Sequence, residues 1–443
     1  RSGDPGGSEG AGDRMKIVVV GSDANAWAAA LKLKRAGNVV EMVTGSVSGG
    51  VASLLSGAPL SPEVASQFEL GVVLKIVGRV GVSAEKKSVQ MKLRQISGEV
   101  TERDQERWPE FVKVMNNASE IWRGLSQGDG AGSVAGRWRE FGRRQAMEVL
   151  RVPCQSLSEL LDDWFQSDLL KATLASAALR GARQGPFSPG SAFLLLQRWA
   201  RGEIFGRARA DAGALRALGE GVKIHEAEVE SFNVSLGRVE SLRTSEGVEI
   251  AGDLFVTSED PVSTLQVKVG ATRLELDVAD LVSHWDTRST TAVARLEPSQ
   301  KWEGAMVNLC TDLESLERAY DPTKYGSDSE HPFAEFDSEN GLLYVQHLSG
   351  DGAAEKVQSL CRTHELGEVK ELLLPSDLAA RFGADGGHLF GGERALWQSH
   401  TLREQLRRPL ANLYLCGAGT GPGDHSGLSG LVCAGMIDQP VTV

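Results

Sequence analysis

The sequence has few of the features that mark secreted, membrane-spanning or nucleic-acid-binding proteins. Its 443 residues include only five cysteines, widely spaced and without a CxxC pair, so we expect buried thiols in a reducing compartment. The longest apolar runs, such as residues 17–20 and 193–196, are far shorter than the roughly 20 residues that cross a bilayer. The formal charge of -12 argues against general attraction to nucleic acid or anionic lipid. We therefore expect a soluble protein with no nucleic-acid partner and at most a peripheral association with membranes.

Metal-ligand spacing is also missing. No two of the eight histidines stand at the spacing that is typical of a zinc site. The sequence therefore predicts no metal centre.

The first fourteen residues differ in composition from the rest of the chain. They are rich in glycine, serine and charge and contain no apolar stretch, so we expect residues 1–14 to be a disordered tail outside the fold. Two origins are open: a tag remnant, or the amino terminus left when a transit peptide is removed. The protein would accordingly lie in the cytoplasm or inside an organelle such as a plastid.

The remaining chain begins with a pattern typical of a nucleotide-binding sheet. Residues 16–20 form a β-branched run that ends at Gly21, and residues 24–35 are rich in helix formers. A second apolar run follows at 39–43. This order predicts a strand, a tight turn, a helix and a second strand. In such a βαβ unit the amino terminus of the helix faces the phosphates of a dinucleotide.

The later segments indicate a nucleotide domain interrupted by other structure. Residues 84–180 show a helical pattern with scattered tryptophans. Residues 221–269 return to short strands, the first of them predicted at 222–229, and residues 412–416 form an apolar strand before a glycine-rich loop. Because nucleotide-like segments stand at both ends of the chain, we expect them to fold together. The predicted division is a dinucleotide-binding domain at 15–83, 215–270 and 380–443, a helical insert at 84–214, and a substrate-side α+β region at 271–379.

Four collinear segments resemble the phytoene-desaturase and retinol-saturase-like group of FAD-dependent oxidoreductases. The first, residues 16–50, is similar to the family's strand, GxGxxG turn, helix, second strand and Gly-Gly pair. The second ends in FVTSEDP at residues 255–261, the third is FGADGGHLFGGERALWQ at 382–398, and the fourth is NLYLCGAGTGPGDHSGLSG at 412–430. The resemblance covers most of the chain and is thinnest in the helical insert.

The resemblance implies an α/β fold of the Rossmann type that binds FAD or NAD(P), as in glutathione-reductase-like flavoproteins, with an inserted helical and mixed substrate domain. It implies FAD as the cofactor and an apolar substrate of the carotenoid or retinoid type. The residues that it places around the cofactor are Gly21, Ala26, Thr44, Gly49, Gly50, Val229, Gly417, Gly419, Gly423 and Asp424.

Two residues depart from the family pattern where the cofactor would bind. Asp23 stands at the middle glycine of GxGxxG, and a carboxylate about 4 Å from a phosphate oxygen costs on the order of 4 kcal/mol at an effective dielectric near 20. Thr44 replaces the acidic residue that accepts hydrogen bonds from the ribose, and an uncharged acceptor is weaker. We therefore expect weakened FAD binding, although Asp23 also suits the role of a helix cap.

The residues expected on the substrate side offer weaker indications. His388 and Glu393 in the third segment are candidates for polarising a substrate or exchanging a proton, and a structural hydrogen-bonding role is the alternative. His425 lies in the fourth segment where the family favours glycine, so it would crowd or serve the flavin site. Trp164, Trp199, Trp285 and Trp397 would line an apolar tunnel or pack in the core.

Two main functions from different classes remain open at this point. The first is an FAD-dependent desaturase, saturase or isomerase acting on a long isoprenoid-type substrate with loosely held flavin. The second is a catalytically inactive pseudo-oxidoreductase that serves as a scaffold or binding subunit of a larger assembly, such as a plastid or photosynthetic complex. An amine-oxidase-like activity on polar substrates ranks third, because the GGHLF segment fits the desaturase-like group better.

Overall fold

A computed structural model describes residues 14–45, 60–71, 73–76, 78–126, 136, 138–209 and 212–438. The strands of this part of the chain are β1 (Lys16–Val20), β2 (Val39–Val43), β3 (Val73–Ile76), β4 (Gly78–Val82), β5 (Ser88–Lys92), β6 (Gln95–Gly98), β7 (Gly206–Arg209), β8 (Lys223–His225), β9 (Val229–Ser235), β10 (Arg238–Thr244), β11 (Glu249–Ala251), β12 (Leu254–Thr257), β13 (Thr291–Pro298), β14 (Ala305–Leu309), β15 (Ala334–Asp337), β16 (Leu342–Gln346), β17 (Gly367–Leu373) and β18 (Leu413–Leu415).

The α-helices in the same described ranges are α1 (Ala24–Arg35), α2 (Pro62–Gln67), α3 (Glu102–Ser126), α4 (Arg143–Arg151), α5 (Leu157–Trp164), α6 (Asp168–Leu179), α7 (Ala192–Ala200), α8 (Ala212–Ala217), α9 (Leu276–Ser283), α10 (Leu313–Tyr320), α11 (Ala353–His364), α12 (Pro375–Phe382), α13 (His400–Gln405) and α14 (Leu428–Asp438).

A parallel sheet forms the nucleotide side of the molecule. Its strand order is β18-β12-β1-β2-β8, and each neighbouring pair is parallel. Strand β1 lies at the centre, where Ile17 and Val19 pack on one face and Val18 and Val20 on the other. A parallel sheet covered on both faces needs such a continuous apolar strand. The Rossmann-type α/β fold predicted from the sequence is therefore confirmed.

The second large sheet is mixed and belongs to the other side of the molecule. Its order is β17-β13-β16-β15-β14-β4-β5-β6, so it joins strands from before and after the helices α3 to α7. Helix α6 packs against β4 and β14 of this sheet. A cluster of buried aromatic and aliphatic side chains fills the space among these helices, with Trp108 and Phe111 at its centre.

The helical pattern begins later than the sequence indicated. We expected helix from residue 84, but the chain first forms β5 and β6, which pair antiparallel in the mixed sheet. The buried residues Val89, Met91 and Ile96 alternate with exposed neighbours, which is the period of a half-buried strand. Helix starts only at Glu102.

The predicted strand at residues 222–229 is also divided in two. Strand β8 extends the parallel sheet beside β2, and β9 pairs with β10 in a separate antiparallel sheet. The turn between β8 and β9 therefore lies beside the end of β2, because the backbone N–H of Thr44 donates to the carbonyl oxygen of His225 at 2.8 Å.

Helices α1 and α14, the first and last helices of the described residues, pack closely against each other. A β-carbon at Gly430 would collide with the backbone of Asn25, so glycine permits the short distance between these helices. The loop of residues 416–427, which precedes α14, consequently lies against the amino end of α1. Across the described ranges, every helix is too short or too polar to pass through a membrane.

Candidate nucleotide site

The turn from β1 to α1 has the backbone shape of a nucleotide-binding turn. Gly21 has a φ of 127°, and a β-carbon there would collide with the hydroxyl group of Ser258. Its N–H donates to the carbonyl oxygen of Val43 at 3.0 Å, which ties the turn to the end of β2. Glycine is required at this position for both its conformation and its close packing.

Asp23 occupies the amino end of α1 with its own side chain. It is the cap residue of the helix, is only 7% exposed, and accepts a hydrogen bond from the N–H of Ala26 at 2.9 Å. Burial raises the pKa of Asp23, and the bond from Ala26 opposes this shift only in part. A helix amino terminus binds phosphate through unpaired N–H groups. Here one of those groups is already bonded to a carboxylate of the same chain.

The glycines of the fourth segment pack against the turn that follows β12. A β-carbon at Gly417 would collide with the carbonyl oxygen of Ser258, and one at Gly419 would collide with Pro261. Gly423 has a φ of 78°. These glycines let the loop lie close to its neighbours, as the sequence suggested for a cofactor-side loop.

Asp424 and His425 fill the space on the loop side of α1. The carboxylate of Asp424 accepts hydrogen bonds from the hydroxyl and N–H of Ser426 at 2.8 and 3.1 Å, and burial raises its pKa. Its carbonyl oxygen accepts a bond from the amide of Asn25 at 2.8 Å. The ring of His425 bonds through Nε2 to the carbonyl oxygen of Leu389 at 2.6 Å. We call the group Asp23, Asn25, Asp424 and His425 the closed end.

A cavity of about 510 Å³ opens beside the end of β2, within the size range of small-molecule sites. We call it the β2-end cavity. Its lining consists of Ser22, Trp27, Thr44, Gly45, Arg216, Ile224, Glu226, Ala227, Glu228, Ser245 and Glu246. Because the cavity lies at the carboxyl ends of parallel strands, it occupies the place where doubly wound folds bind nucleotides.

Glu228 is a cavity residue that the sequence interpretation missed. Its carboxylate lies so close to Gly45 that a β-carbon at that glycine would collide with it. The carboxylate therefore stands one residue beyond Thr44, where the sequence lacks the expected acid. The signal was present in the sequence as an acid directly before Val229, but its position depends on the turn between β8 and β9.

Among the described residues, the others that the sequence placed around the cofactor do not line the cavity. Ala26 is buried in α1, which permits close packing of the helix. Val229 is buried at the start of β9 in the hydrophobic cluster under the parallel sheet, and it is not among the residues that line the cavity. Gly49 and Gly50 lie outside the described residues.

The two parts of the site differ in what they can hold. The β2-end cavity has the place and size for a nucleoside. At the closed end, the carboxylate of Asp23 accepts the N–H of Ala26, so this helix donor is already occupied.

His388 and Glu393 are buried in the third segment and bonded to its backbone. Nδ1 of His388 accepts from the N–H of Phe390 at 3.1 Å, and burial lowers the pKa of this histidine to about 3. Glu393 accepts from the N–H groups of Arg183 and Arg394 at 2.8 Å each, and burial raises its pKa to about 7. These bonds agree with the structural role that the sequence left open, and the proton-exchange role of both residues stays a prediction.

Arg403 connects the third and fourth segments and was not singled out from the sequence. Its buried guanidinium donates to the carbonyl oxygens of Gly392 at 2.7 Å, Glu393 at 2.9 Å and Ala418 at 3.0 Å. Burial lowers the pKa of Arg403 to about 10. Since every acceptor is a backbone carbonyl, no side-chain pattern in the sequence could have indicated this link.

The singled-out tryptophans pack against protein groups or face solvent. Trp164 and Trp199 lie edge-on to the ring of Phe111, with centroids 5.6 and 5.7 Å apart. Trp285 donates to the carbonyl oxygen of Gly391 at 2.9 Å, and Trp397 is 57% exposed. These contacts favour core packing for Trp164, Trp199 and Trp285.

A buried arginine–glutamate cluster lies on the mixed sheet. Glu335 on β15 contacts Arg79 at 2.7 Å, Arg180 at 2.8 Å and Arg198 at 3.1 Å. Burial alone would raise the pKa of Glu335, but the three charges outweigh it and hold that pKa well below the usual value. Glu203, bonded to Arg198 at 2.8 Å, has its pKa lowered to about 2 in the same way. These five residues form the arginine–glutamate cluster.

Groups of three or more histidine, cysteine or acidic side chains with the geometry of a metal site are absent from the described ranges.

Comparison with known proteins gives relatives that are named as oxidoreductases. No family model matches the chain. Pyridine nucleotide-disulfide oxidoreductase domain-containing protein 2 of Rattus norvegicus is 28% identical over 345 residues, and the match covers 63% of this chain and 59% of the relative. The protein of the same name from Mus musculus gives the same identity and coverage. The chain thus spans less than two thirds of the length of these curated relatives.

Solved structures of oxidoreductases share the fold. A putrescine oxidase bound to putrescine superposes with a TM-score of 0.54 at 11% identity, covering 96% of this chain and 99% of that chain. Cyclohexylamine oxidase from Brevibacterium oxydans gives 0.52 at 12% identity, with 96% and 99% covered. An oxidoreductase from Methanosarcina mazei gives 0.54 at 12% identity, with 96% and 100% covered. At these identities the likeness shows the fold alone, which is the Rossmann-type fold that these oxidoreductases share.

Proposed function

We propose that this chain is a pseudo-oxidoreductase, a protein with the fold of an FAD-dependent oxidoreductase that does not retain FAD as a tightly bound redox cofactor. It would act as a binding or scaffold subunit for partner proteins. The observation that carries the proposal is the position of Asp23, whose buried carboxylate accepts the N–H of Ala26 at the amino end of α1.

The energetic argument concerns the cost of placing a diphosphate beside this carboxylate. Two like charges about 4 Å apart repel by on the order of 4 kcal/mol at an effective dielectric near 20. Binding would also have to break the helix cap, or else leave the diphosphate without the N–H of Ala26. On the loop side, Asp424 and His425 are fixed by their bonds to Ser426 and Leu389.

A second candidate is an FAD-dependent oxidoreductase with loosely held flavin that acts on a long apolar substrate of the isoprenoid type. The names of the relatives and the retained turn at Gly21 favour it. The close packing of Gly417 and Gly419 also agrees with a cofactor-side loop. Desaturase-like specificity and a plastid setting remain part of this proposal and have only the sequence resemblance behind them.

The visible absorption spectrum of the purified protein, with quantitation of flavin released on denaturation, separates the two candidates. We expect a folded protein with well under one equivalent of flavin after dialysis, because the closed end opposes the diphosphate. Saturable uptake of added FAD by the dialysed protein would overturn the pseudo-oxidoreductase and support the enzyme with loosely held flavin. Retention of about one equivalent through dialysis would contradict both the pseudo-oxidoreductase and the loose binding. Circular dichroism of the same sample serves as the control that the flavin-free protein is folded.

A further inference from the structure

A second cavity, of about 330 Å³, lies on the mixed sheet and takes no part in either candidate function. We call it the mixed-sheet cavity. We propose that it binds a flat organic carboxylate, whose ring packs against Val80 and Trp302 and whose charge pairs with Lys86. The proposal goes beyond the pseudo-oxidoreductase, because the lining shares no residue with the closed end or the β2-end cavity. The lining consists of Val80, Val82, Lys86, Ser88, Gln90, Lys301, Trp302, Glu303, Ala305, Thr363 and His364.

The cavity forms where one face of the mixed sheet is open. Its floor comes from β4, β5 and β14, which are neighbours in this sheet, and its wall includes the end of α11. Along β5, Ser88 and Gln90 are exposed, whereas Val89 and Met91 alternate with them and join the buried cluster among the helices. The face that carries Ser88 and Gln90 is therefore accessible to a ligand, and the volume is within the range of small-molecule sites.

The cavity also offers apolar surface that the protein covers only in part. Val80, Trp302 and Ala305 are partly buried at the edge of the hydrophobic cluster on which α11 packs. The indole of Trp302 is held in place, because its Nε1 donates to the carbonyl oxygen of His364 at 2.9 Å. A flat apolar group would bury this surface, and aromatic rings pair favourably with a fixed indole. The ligand should accordingly contain a ring.

The charges of the lining favour an anion. Burial lowers the pKa of His364, and the charges of Lys301 and Lys86 lower it further, so the two lysines make the electrostatic potential at this ring more positive. Lys301 already pairs with Glu365 at 3.0 Å. Lys86 is exposed, and within the described ranges its ammonium group makes no hydrogen bond or ion pair. Lys86 is therefore the cation that a ligand can use.

The backbone at Lys86 has a conformation that lysine rarely adopts. Its φ is 63°, in the left-handed region that glycine and asparagine occupy with less strain. The N–H of Lys86 donates to the carbonyl oxygen of Ser83 at 3.0 Å, and the N–H of Ser83 donates to that of Lys87 at 3.0 Å. These bonds close a tight turn between β4 and β5. A strained lysine whose ammonium group serves no partner in the described chain agrees with a role toward a ligand.

Calorimetric titration of the full chain with 2-naphthoate, and with 2-naphthamide as its neutral analogue of similar shape, tests the proposal. We expect saturable binding of the carboxylate at neutral pH. The amide should bind more weakly by roughly threefold to fivefold, because it loses the attraction to an exposed lysine. Absence of saturable naphthoate binding, or equal affinity for the two compounds, would overturn the proposal.

A charge variant locates the effect at Lys86. Lys86→Asn should weaken naphthoate binding by the same roughly threefold to fivefold and leave the affinity for naphthamide unchanged. Because asparagine tolerates the left-handed conformation, the free energy of unfolding in urea should stay equal or rise. Lys87→Asn is the matched control, since Lys87 is exposed, pairs with Glu85 at 3.2 Å and does not line the cavity. Unchanged naphthoate affinity in Lys86→Asn, or an equal loss in the control, would contradict the assignment.

A second variant tests the apolar contact. Trp302→Leu should weaken the binding of both naphthoate and naphthamide several-fold, because the ring of either compound loses its aromatic partner. Circular dichroism checks that the variant is folded. A folded Trp302→Leu variant that binds both compounds like the unmodified chain would contradict the proposed packing. None of these outcomes depends on the flavin content of the protein.

Discussion

Two regions of this molecule bury carboxylates, and they treat the charge in opposite ways. In the arginine–glutamate cluster, Glu335 is surrounded by three arginines and its pKa is held low. At the closed end, Asp23 and Asp424 accept hydrogen bonds from neutral groups and their pKa values are raised by burial. The comparison separates two roles. In the cluster, arginines pair with the carboxylates and join the mixed sheet to the helices. At the closed end, neutral groups hold the carboxylates at the place where this fold class binds an anion.

The largest expected effect comes from removing the central carboxylate of the cluster. Glu335→Ala leaves three buried arginines without their shared partner, and breaking a buried ion pair in this way costs about 3 to 5 kcal/mol. Urea unfolding should show this loss of free energy. Glu314→Ala is the matched control, because Glu314 is exposed and pairs only with Arg318 at 3.7 Å, so its loss should cost under about 1 kcal/mol. If Glu335→Ala were as stable as this control, the cluster would not be a stabilising ion-pair network, and the comparison with the closed end would fail.

A smaller effect is the pH dependence of stability, which should have opposite signs in the two regions. The pKa of Asp23 is raised in the fold, so its contribution to stability is present below its usual value of 3.8 and is lost as the pH rises. The pKa of Glu203 is lowered from 4.5 to about 2, so its contribution is present above 4.5 and is lost as the pH falls.

Unfolding free energies between about pH 3 and pH 7 test these signs. Asp23→Asn, which keeps a capping side chain, should gain stability relative to the unmodified chain as the pH rises. Glu203→Gln should lose stability over the same range. If the unfolding free energies of the two variants changed with pH in the same way, the environments of these two carboxylates would not differ as described.

Much of the parallel sheet could be predicted from the sequence. The bounds of β1, α1 and β2 agree with the apolar runs and the helix-forming stretch between them. The agreement arises because the apolar residues that mark these elements in the sequence are also the ones that the fold buries. The predicted strand at 412–416 is found as β18, one residue shorter at each end. Strands β5 and β6 were missed because charged and polar residues on their exposed face resemble a helical surface.

The site was less predictable, since its important contacts join distant parts of the chain. Asp23 was identified as both a cap and an obstacle, and its bond to Ala26 confirms the cap. Glu228 could not be placed without knowing that the turn after β8 returns to β2. Arg403 bonds only to carbonyl oxygens of residues that the sequence does not mark as partners. Flavin affinity, substrate class and partners remain predictions.

The most direct test of the closed end is a titration of FAD into the unmodified chain and into Asp23→Gly. Removing the carboxylate frees the N–H of Ala26 to donate to a phosphate. It also removes a charge repulsion of on the order of 4 kcal/mol. We therefore predict that the affinity for FAD rises by roughly a hundredfold or more. The loss of the cap itself should cost only a few tenths of a kcal/mol. An Asp23→Gly variant that is folded and binds FAD no better than the unmodified chain would contradict the account.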